Sequence, residues 1–362
     1  MKKNMAFILA VALVMTLLVG CTGTTVVIGE CNCPPDSHTN APVVETPAQD
    51  VPVSEGAVKT GLAVVTSIAD STAATAEAEG AAKYDITVAA VTVDEAGVIT
   101  ACTIDSIPAT VAFDATGTIT TDLAAEICTK GEQGADYGMV AWGGAIAEWD
   151  EQVAALANFA IGKTVEELKS GAIDETGKAP AGSDLASSAT IYLGGYVSAI
   201  EAAVANAQKL GAQAGDELVL TTINSISSSA SATADAAGNA QLDANIAVVT
   251  RKDGVITSCI IDAVQAKVAF DVTGTITTDL SAPVLTKNEL GEGYGMVAWG
   301  GAIAEWNEQA ASFAAYVTGK TADEVAGIAI TETTKPADGT DLASSVTISI
   351  GGFLALIAKA MQ

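Results

Sequence analysis

One stretch of thirteen residues occurs twice in this chain: Tyr137–Trp149 and Tyr294–Trp306 both read YGMVAWGGAIAEW. The same offset of 157 residues relates Cys102 to Cys259, the FDATGTITTDL run at Phe113 to the FDVTGTITTDL run at Phe270, and the DLASSAT run at Asp184 to the DLASSVT run at Asp341. A unit of that length is domain-sized, well beyond the roughly 20–50 residues of solenoid repeats. Two similar domains in tandem are therefore expected, spanning 58–212 and 213–362.

Within one copy the elements follow a plain order. Ile86 to Val93 and Val98 to Ile107 are rich in β-branched residues and flank Asp94-Glu95-Ala96-Gly97, and the second copy shortens that turn to Arg251-Lys252-Asp253-Gly254. Both read as hairpins. A further strand–turn–strand is expected around Asp114-Ala115-Thr116-Gly117 and Asp271-Val272-Thr273-Gly274. Its aspartates suit a turn better than a calcium loop, because the dense spacing of oxygen ligands is missing. Helical signals come after the strands. Thr164-Val165-Glu166-Glu167 and Thr321-Ala322-Asp323-Glu324 are capping boxes. Strands paired by hairpins and then helices predict an α+β fold, two tandem homologous domains each an antiparallel sheet packed on helices.

Trp142, Ile146, Trp149, Val153, Leu156 and Ala160 recur at intervals of three and four. That spacing predicts one amphipathic helix with the stripe as its core face. Trp142 and Trp149, like Trp299 and Trp306, share a face, and the Gly143-Gly144 pair makes the Trp142 end the better wall for a planar ligand. Glu148, Glu151, Glu305 and Glu308 are read as solvated residues on the polar side of that helix, not as a two-carboxylate catalytic pair.

Lys2 and Lys3 precede an uncharged apolar run from Met5 to Val19, which has the form of a secretory signal over residues 1–20. The run is short for a membrane span, which needs about 20 apolar residues. Leu18-Val19-Gly20-Cys21 resembles the bacterial lipobox, a resemblance that implies cleavage before Cys21 and its lipidation. The membrane is then a partner through the lipid anchor, and the protein is expected on the extracytoplasmic face of the cell membrane, at the bacterial cell surface. Residues 21–57 are rich in Pro, Thr, Val and acidic residues and read as a disordered tether, with Cys31 and Cys33 an incidental or paired couple. Cys102 and Cys259 read as buried thiols, and Cys128 corresponds to Leu285 in the other copy, so no thiol chemistry is shared there.

Charge and the lone histidine narrow the chemistry. The chain carries 43 acidic against 16 basic residues, a formal −27, so nucleic acid is excluded as a partner. His38 lies in the tether. No catalytic triad, histidine-ligated zinc or other metal site is expected in either copy, and no catalytic residue is assigned.

Asp184-Leu185-Ala186-Ser187-Ser188-Ala189-Thr190 runs through Gly194-Gly195 into a helical stretch from Tyr196 to about Lys209. Here the chain resembles the FMN-binding domain family of flavin-carrying proteins, whose pattern is roughly Asp-x-x-Ser-Gly-Ala-Thr followed by a helix. Asp184, Ser187, Ala189 and Thr190 match in the first copy, and Asp341, Ser344 and Thr347 in the second. Ser188 and Ser345 stand where the family has Gly, and Val346 replaces Ala. Val98-Ile99-Thr100 and Asp253-Gly254-Val255-Ile256 are similar to the family's turn before its second strand.

The resemblance implies FMN as cofactor, carried through a phosphoester on Thr190 and Thr347 made by a flavin transferase. Asp184, Asp341, Ser187 and Ser344 would shape the turn, and Trp142 and Trp299 are candidates for ring contacts. It also implies redox partners and a lipid-anchored carrier that relays electrons outside the membrane, rather than a substrate-converting enzyme. A second reading is a flavin-free surface lipoprotein with duplicated ligand- or wall-binding domains.

Overall fold

The computed structural model describes residues 56–362. The signal segment, Cys21, Cys31, Cys33, His38 and nearly all of the tether lie outside the described residues. In the first half, strands β1 (Lys59–Ser67), β2 (Gly80–Val93) and β3 (Ile99–Phe113) form an antiparallel sheet in that order. Helices α1 (Lys130–Gln133), α2 (Met139–Gly143), α3 (Trp149–Ala160), α4 (Val165–Ala172) and α5 (Gly194–Ala205) follow. The second half repeats the order with β4 (Glu217–Ser225), β5 (Gly238–Lys252) and β6 (Val255–Phe270), then α6 (Lys287–Leu290), α7 (Met296–Gly300), α8 (Trp306–Val317), α9 (Ala322–Ala326) and α10 (Gly351–Ala360). The fold is α+β.

Alternation along the central strands explains the layering. On β2, Tyr84, Ile86, Val88 and Ala90 point into a core shared with Leu242, Ala244, Ile246 and Val248 of β5. The intervening Ala89, Val91 and Val93 pack on Trp149, Val153 and Leu156 of α3 and on Val197 and Ile200 of α5. The second sheet repeats this against α8 and α10. Helices, sheet, sheet and helices thus form four layers. Only the later part of each central strand is buried on both faces, which is why Val88–Val93 and Ile246–Val249 read as nearly unbroken apolar runs, while the earlier part carries Lys83 and Asp85 or Gln241 and Asp243.

Turn chemistry follows the expected rules. The second hairpin closes at Asp253 and Gly254, both at positive φ (50° and 76°), as a two-residue primed turn requires. Asp114 accepts hydrogen bonds from the Thr116 and Thr118 N–H and from the Thr116 hydroxyl, so it builds a turn. The strand expected after it shrinks to a single bridge between Phe113 and Ile119. Among the described residues no cluster of metal-ligating side chains occurs. Both expected capping boxes form, at Thr164 and at Thr321. Cys259 is buried and Cys102 half-buried, and desolvation pushes both thiols up to about 12, which leaves them inert. Cys128 is disulfide-bonded.

The single long tryptophan helix does not form. Gly144 turns left-handed (φ 63°) and ends α2, and α3 begins only at Trp149. Trp149 is buried, but Trp142 is 86% exposed and Ile146 also faces solvent, so the stripe is a core face only from Trp149 onward. The glutamate reading changes too. Glu148 and Glu305 are buried, because each carboxylate serves as acceptor for backbone donors.

Candidate functional site

The first turn of α3 organises everything near Thr190. Glu148 precedes the helix and donates its N–H to Glu151 Oε2 at 2.9 Å. Its own carboxylate accepts from the Met139 and Val140 N–H at 2.8 and 3.0 Å. Those are the first donors of α2, which no side chain of α2's own N-cap, Gly138, could satisfy. A carboxylate taking two N–H groups makes charge-assisted bonds that hold the loop from Gly138 to Glu148 shut. At the far end of α2, the Gly144 and Ala145 N–H bond to the Val140 and Met139 carbonyls. Trp142 is displayed on this closed loop with one side over Gly138, where an added Cβ would come within 3.1 Å of the ring.

Four residues after Glu148 comes Gln152, fully buried. Its Nε2 donates to the Ala147 carbonyl at 2.9 Å, at the end of the tryptophan loop. Its Oε1 accepts from the Thr190 N–H at 2.8 Å and the Ile191 N–H at 3.2 Å, with the Thr190 hydroxyl at 3.4 Å. One side chain therefore ties the tryptophan loop to the threonine turn. The second half repeats the arrangement. Gln309 bonds the Ala304 carbonyl at 2.8 Å, the Thr347 N–H at 2.8 Å and the Thr347 hydroxyl at 3.2 Å, and Glu305 bonds the Met296 and Val297 N–H.

The predicted residues fall as follows. Asp184 and Asp341 precede short 3-10 turns, and the Ser187 and Ser344 hydroxyls donate to the Asp184 and Asp341 carbonyls at 2.6 and 2.7 Å. The serine hydroxyls thus brace each turn through a backbone carbonyl, whereas the Asp184 and Asp341 carboxylates make no cap hydrogen bond there. Thr190 is exposed and Thr347 half-buried. Ser188 has ordinary backbone angles (φ −118°, ψ −21°), so no glycine is required there. The Ser345 hydroxyl donates inward to the Leu342 carbonyl. Trp142 and Trp299 stand in the open, at 86% and 90% exposure, with Val140, Ile146, Val297 and Ile303 beside them. Each loop thus exposes three large apolar side chains.

Helix α5 starts four residues beyond Thr190 and has no side-chain cap, and α10 likewise. The Gly177 carbonyl takes the Leu193 and Gly194 N–H groups. The expected helix from Tyr196 to about Lys209 starts earlier and ends at Ala205. Tyr192, exposed and lying against Gly177, is a further aromatic near Thr190, and Ser349 replaces it in the second half.

Glu148, Gln152, Glu305 and Gln309 were not among the residues that sequence reasoning selected for the site. A signal was present: Glu-Trp-x-Glu-Gln appears in both copies, and its glutamine interrupts an otherwise apolar stripe. No family model, curated protein or solved structure matches the chain.

Proposed function

We propose that each half carries FMN as a phosphoester, on Thr190 and on Thr347, and that the protein is an electron carrier anchored by lipid at Cys21 outside the membrane. The observation that carries this reading is the glutamine clamp. In both halves one buried amide joins a threonine-bearing turn to the carbonyl that ends a tryptophan loop. A reachable hydroxyl and a loop with three exposed apolar side chains therefore lie on either side of the same side chain.

The residues present fit the group. Gln152 holds the Thr190 backbone still while its bond to the hydroxyl is long, which leaves that oxygen free to be esterified. The amino end of α5 carries partial positive charge and favours an anion close by. Trp142, Val140 and Ile146 offer cover for one face of a flat ring, and such stacking also excludes water. The flavin, when bound, supplies the redox chemistry; the protein supplies orientation and environment.

Intact-mass measurement after co-expression with a flavin transferase tests this. Two FMN adducts are expected, one lost in Thr190→Ala and both in the double variant with Thr347→Ala. Gln152→Leu should lower the yield at the first site alone, and Trp142→Ala should keep the adduct but change flavin fluorescence. An adduct surviving the double variant overturns the assignment. No adduct under any condition favours the flavin-free surface protein, whose support is the exposure of Trp142 and Trp299.

A further inference from the structure

One group of differences between the halves lies on the helix-facing side of their sheets, around Lys83 and Pro108 in the first and Gln241 and Gln265 in the second. In the second, Asp243 on β5 pairs across from Gln265 on β6. Its carboxylate accepts from the Gln241 amide at 2.8 and 2.9 Å and from the Gln265 amide at 3.1 Å. The Gln265 carbonyl accepts in turn from the Tyr294 hydroxyl at 3.0 Å. Side chains thus bridge the sheet to the turn after α6.

The same register in the first half sets Asp85 across from Pro108, and Lys83 stands where Gln241 does. Neither bridging amide is there. Instead a cavity of about 430 Å³ opens, lined by Asp70, Lys83, Asp85, Pro108, Lys130 and Tyr137 among others. That volume falls in the roughly 300–1,000 Å³ range of small-molecule sites.

Lys130 is the buried charge of this cavity, with 9% of its surface exposed. Its ammonium lies 5.5 and 5.4 Å from the ring centroids of Tyr137 and Trp149. Its ion-pair partner, Asp85 Oδ1, is 3.9 Å away and already accepts from the Ser106 hydroxyl at 2.9 Å. That gap is wider than a hydrogen bond, about 2.7–3.2 Å, so among the described residues the ammonium has no oxygen at hydrogen-bond distance.

We propose that this groove binds a small zwitterion of the α-amino-acid type, with its carboxylate on Lys130 and its ammonium against Asp85. A plain carboxylate would meet Asp70 and Asp85 in a chain of net charge −27. A plain amine would meet Lys83 and Lys130. Opposite charges one carbon apart answer both walls at once and complete the loosely joined Lys130–Asp85 pair. In the second half Lys287 keeps the matching place over the Tyr294 and Trp306 rings, but Gln241, Gln265 and Tyr294 fill the equivalent position with their own hydrogen bonds around Asp243.

Calorimetric titration of the purified protein with L-alanine and L-glutamine, and with acetate and methylammonium as singly charged probes, tests the assignment. One site per chain is expected, at least tenfold tighter for an amino acid than for either singly charged probe. Lys130→Met and Pro108→Gln, the latter importing the plug of the second half, should each weaken binding at least tenfold. Asp85→Asn, on an exposed side chain, should abolish the preference over acetate. It decides alone if thermal unfolding shows that the other two variants fail to fold. No binding of either amino acid at about 10 mM overturns the proposal, as does acetate binding equally well or binding undiminished in a folded Pro108→Gln protein.

Discussion

The rings of Phe113 and Phe270 lie face to face, centroids 4.0 Å apart and planes 1° from parallel. They end β3 and β6, at equivalent places in the two halves, and are fully buried in the core between the sheets. Gly80 and Gly238 make room for them, since a Cβ there would come within 2.4 and 2.3 Å of the rings. Nearby, the Ala74 N–H bonds the Gly274 carbonyl and the Ala232 N–H bonds the Gly117 carbonyl. The contact is reciprocal, as a pseudo-twofold demands.

Removing one of these rings should therefore be felt by both halves. Phe113→Ala is expected to cost about 3–5 kcal/mol, the range for truncating a buried aromatic. Urea unfolding followed by tryptophan fluorescence and by far-ultraviolet circular dichroism should give coincident curves in parent and variant. Two separated transitions would show that each half holds its structure without the other.

The four tryptophans divide into two classes. Trp149 and Trp306 are buried, and Trp149 Nε1 donates to the Tyr196 hydroxyl at 2.9 Å, whereas Trp142 and Trp299 stand in solvent. Trp142→Ala should change stability by no more than about 0.5 kcal/mol, and Trp149→Ala should cost about 3–5 kcal/mol. Acrylamide should quench a large part of the parent's fluorescence and much less in the double variant Trp142→Ala/Trp299→Ala. Equal quenching in both proteins would contradict the exposed loops.

Acid should stabilise this protein before it harms it. Burial raises Asp262 from 3.8 to about 6, and Asp105 likewise, while each accepts backbone N–H groups at the start of α6 or α1. A folded-state pKa above the unfolded one means that the stabilisation is fully present below about pH 3.8 and is lost as pH rises through about 6. Asp114, Asp174, Asp271 and Asp279 act oppositely, held low by Thr or Ser hydroxyls, and lose their contribution only at still lower pH. The unfolding midpoint should be higher at about pH 5 than at about pH 7.5. Relief of like-charge repulsion works in the same direction. The double variant Asp105→Asn/Asp262→Asn keeps the acceptor oxygens and should shrink the difference, and an unchanged pH dependence would exclude these two groups as its source.

Much of the local structure was legible in advance because its causes are local. Hairpins at Asp94–Gly97 and Asp253-Gly254, the turns at Asp114 and Asp271, and the capping boxes at Thr164 and Thr321 each depend on a few neighbouring residues. Strands β1 and β4 escaped notice, since Lys59–Ser67 and Glu217–Ser225 carry little alternation and owe their form to pairing with β2 and β5. The tryptophan stripe misled for a physical reason. Helical spacing continues through Gly143-Gly144, but two glycines cost a helix about 1 kcal/mol each, and Glu148 offers α2's first N–H groups a better acceptor than another turn of helix would.

By itself the chain determined the duplication, the α+β class and the turns at Asp94, Asp114, Asp253 and Asp271, because these rest on residue order and short-range hydrogen bonds. The tertiary structure alone decided that the two sheets share one core, that Gln152 and Gln309 join segments 38 residues apart, and that Pro108 opens in one half what Gln265 closes in the other. Those outcomes depend on which distant side chains meet after the sheets pack, and no local pattern encodes the meeting.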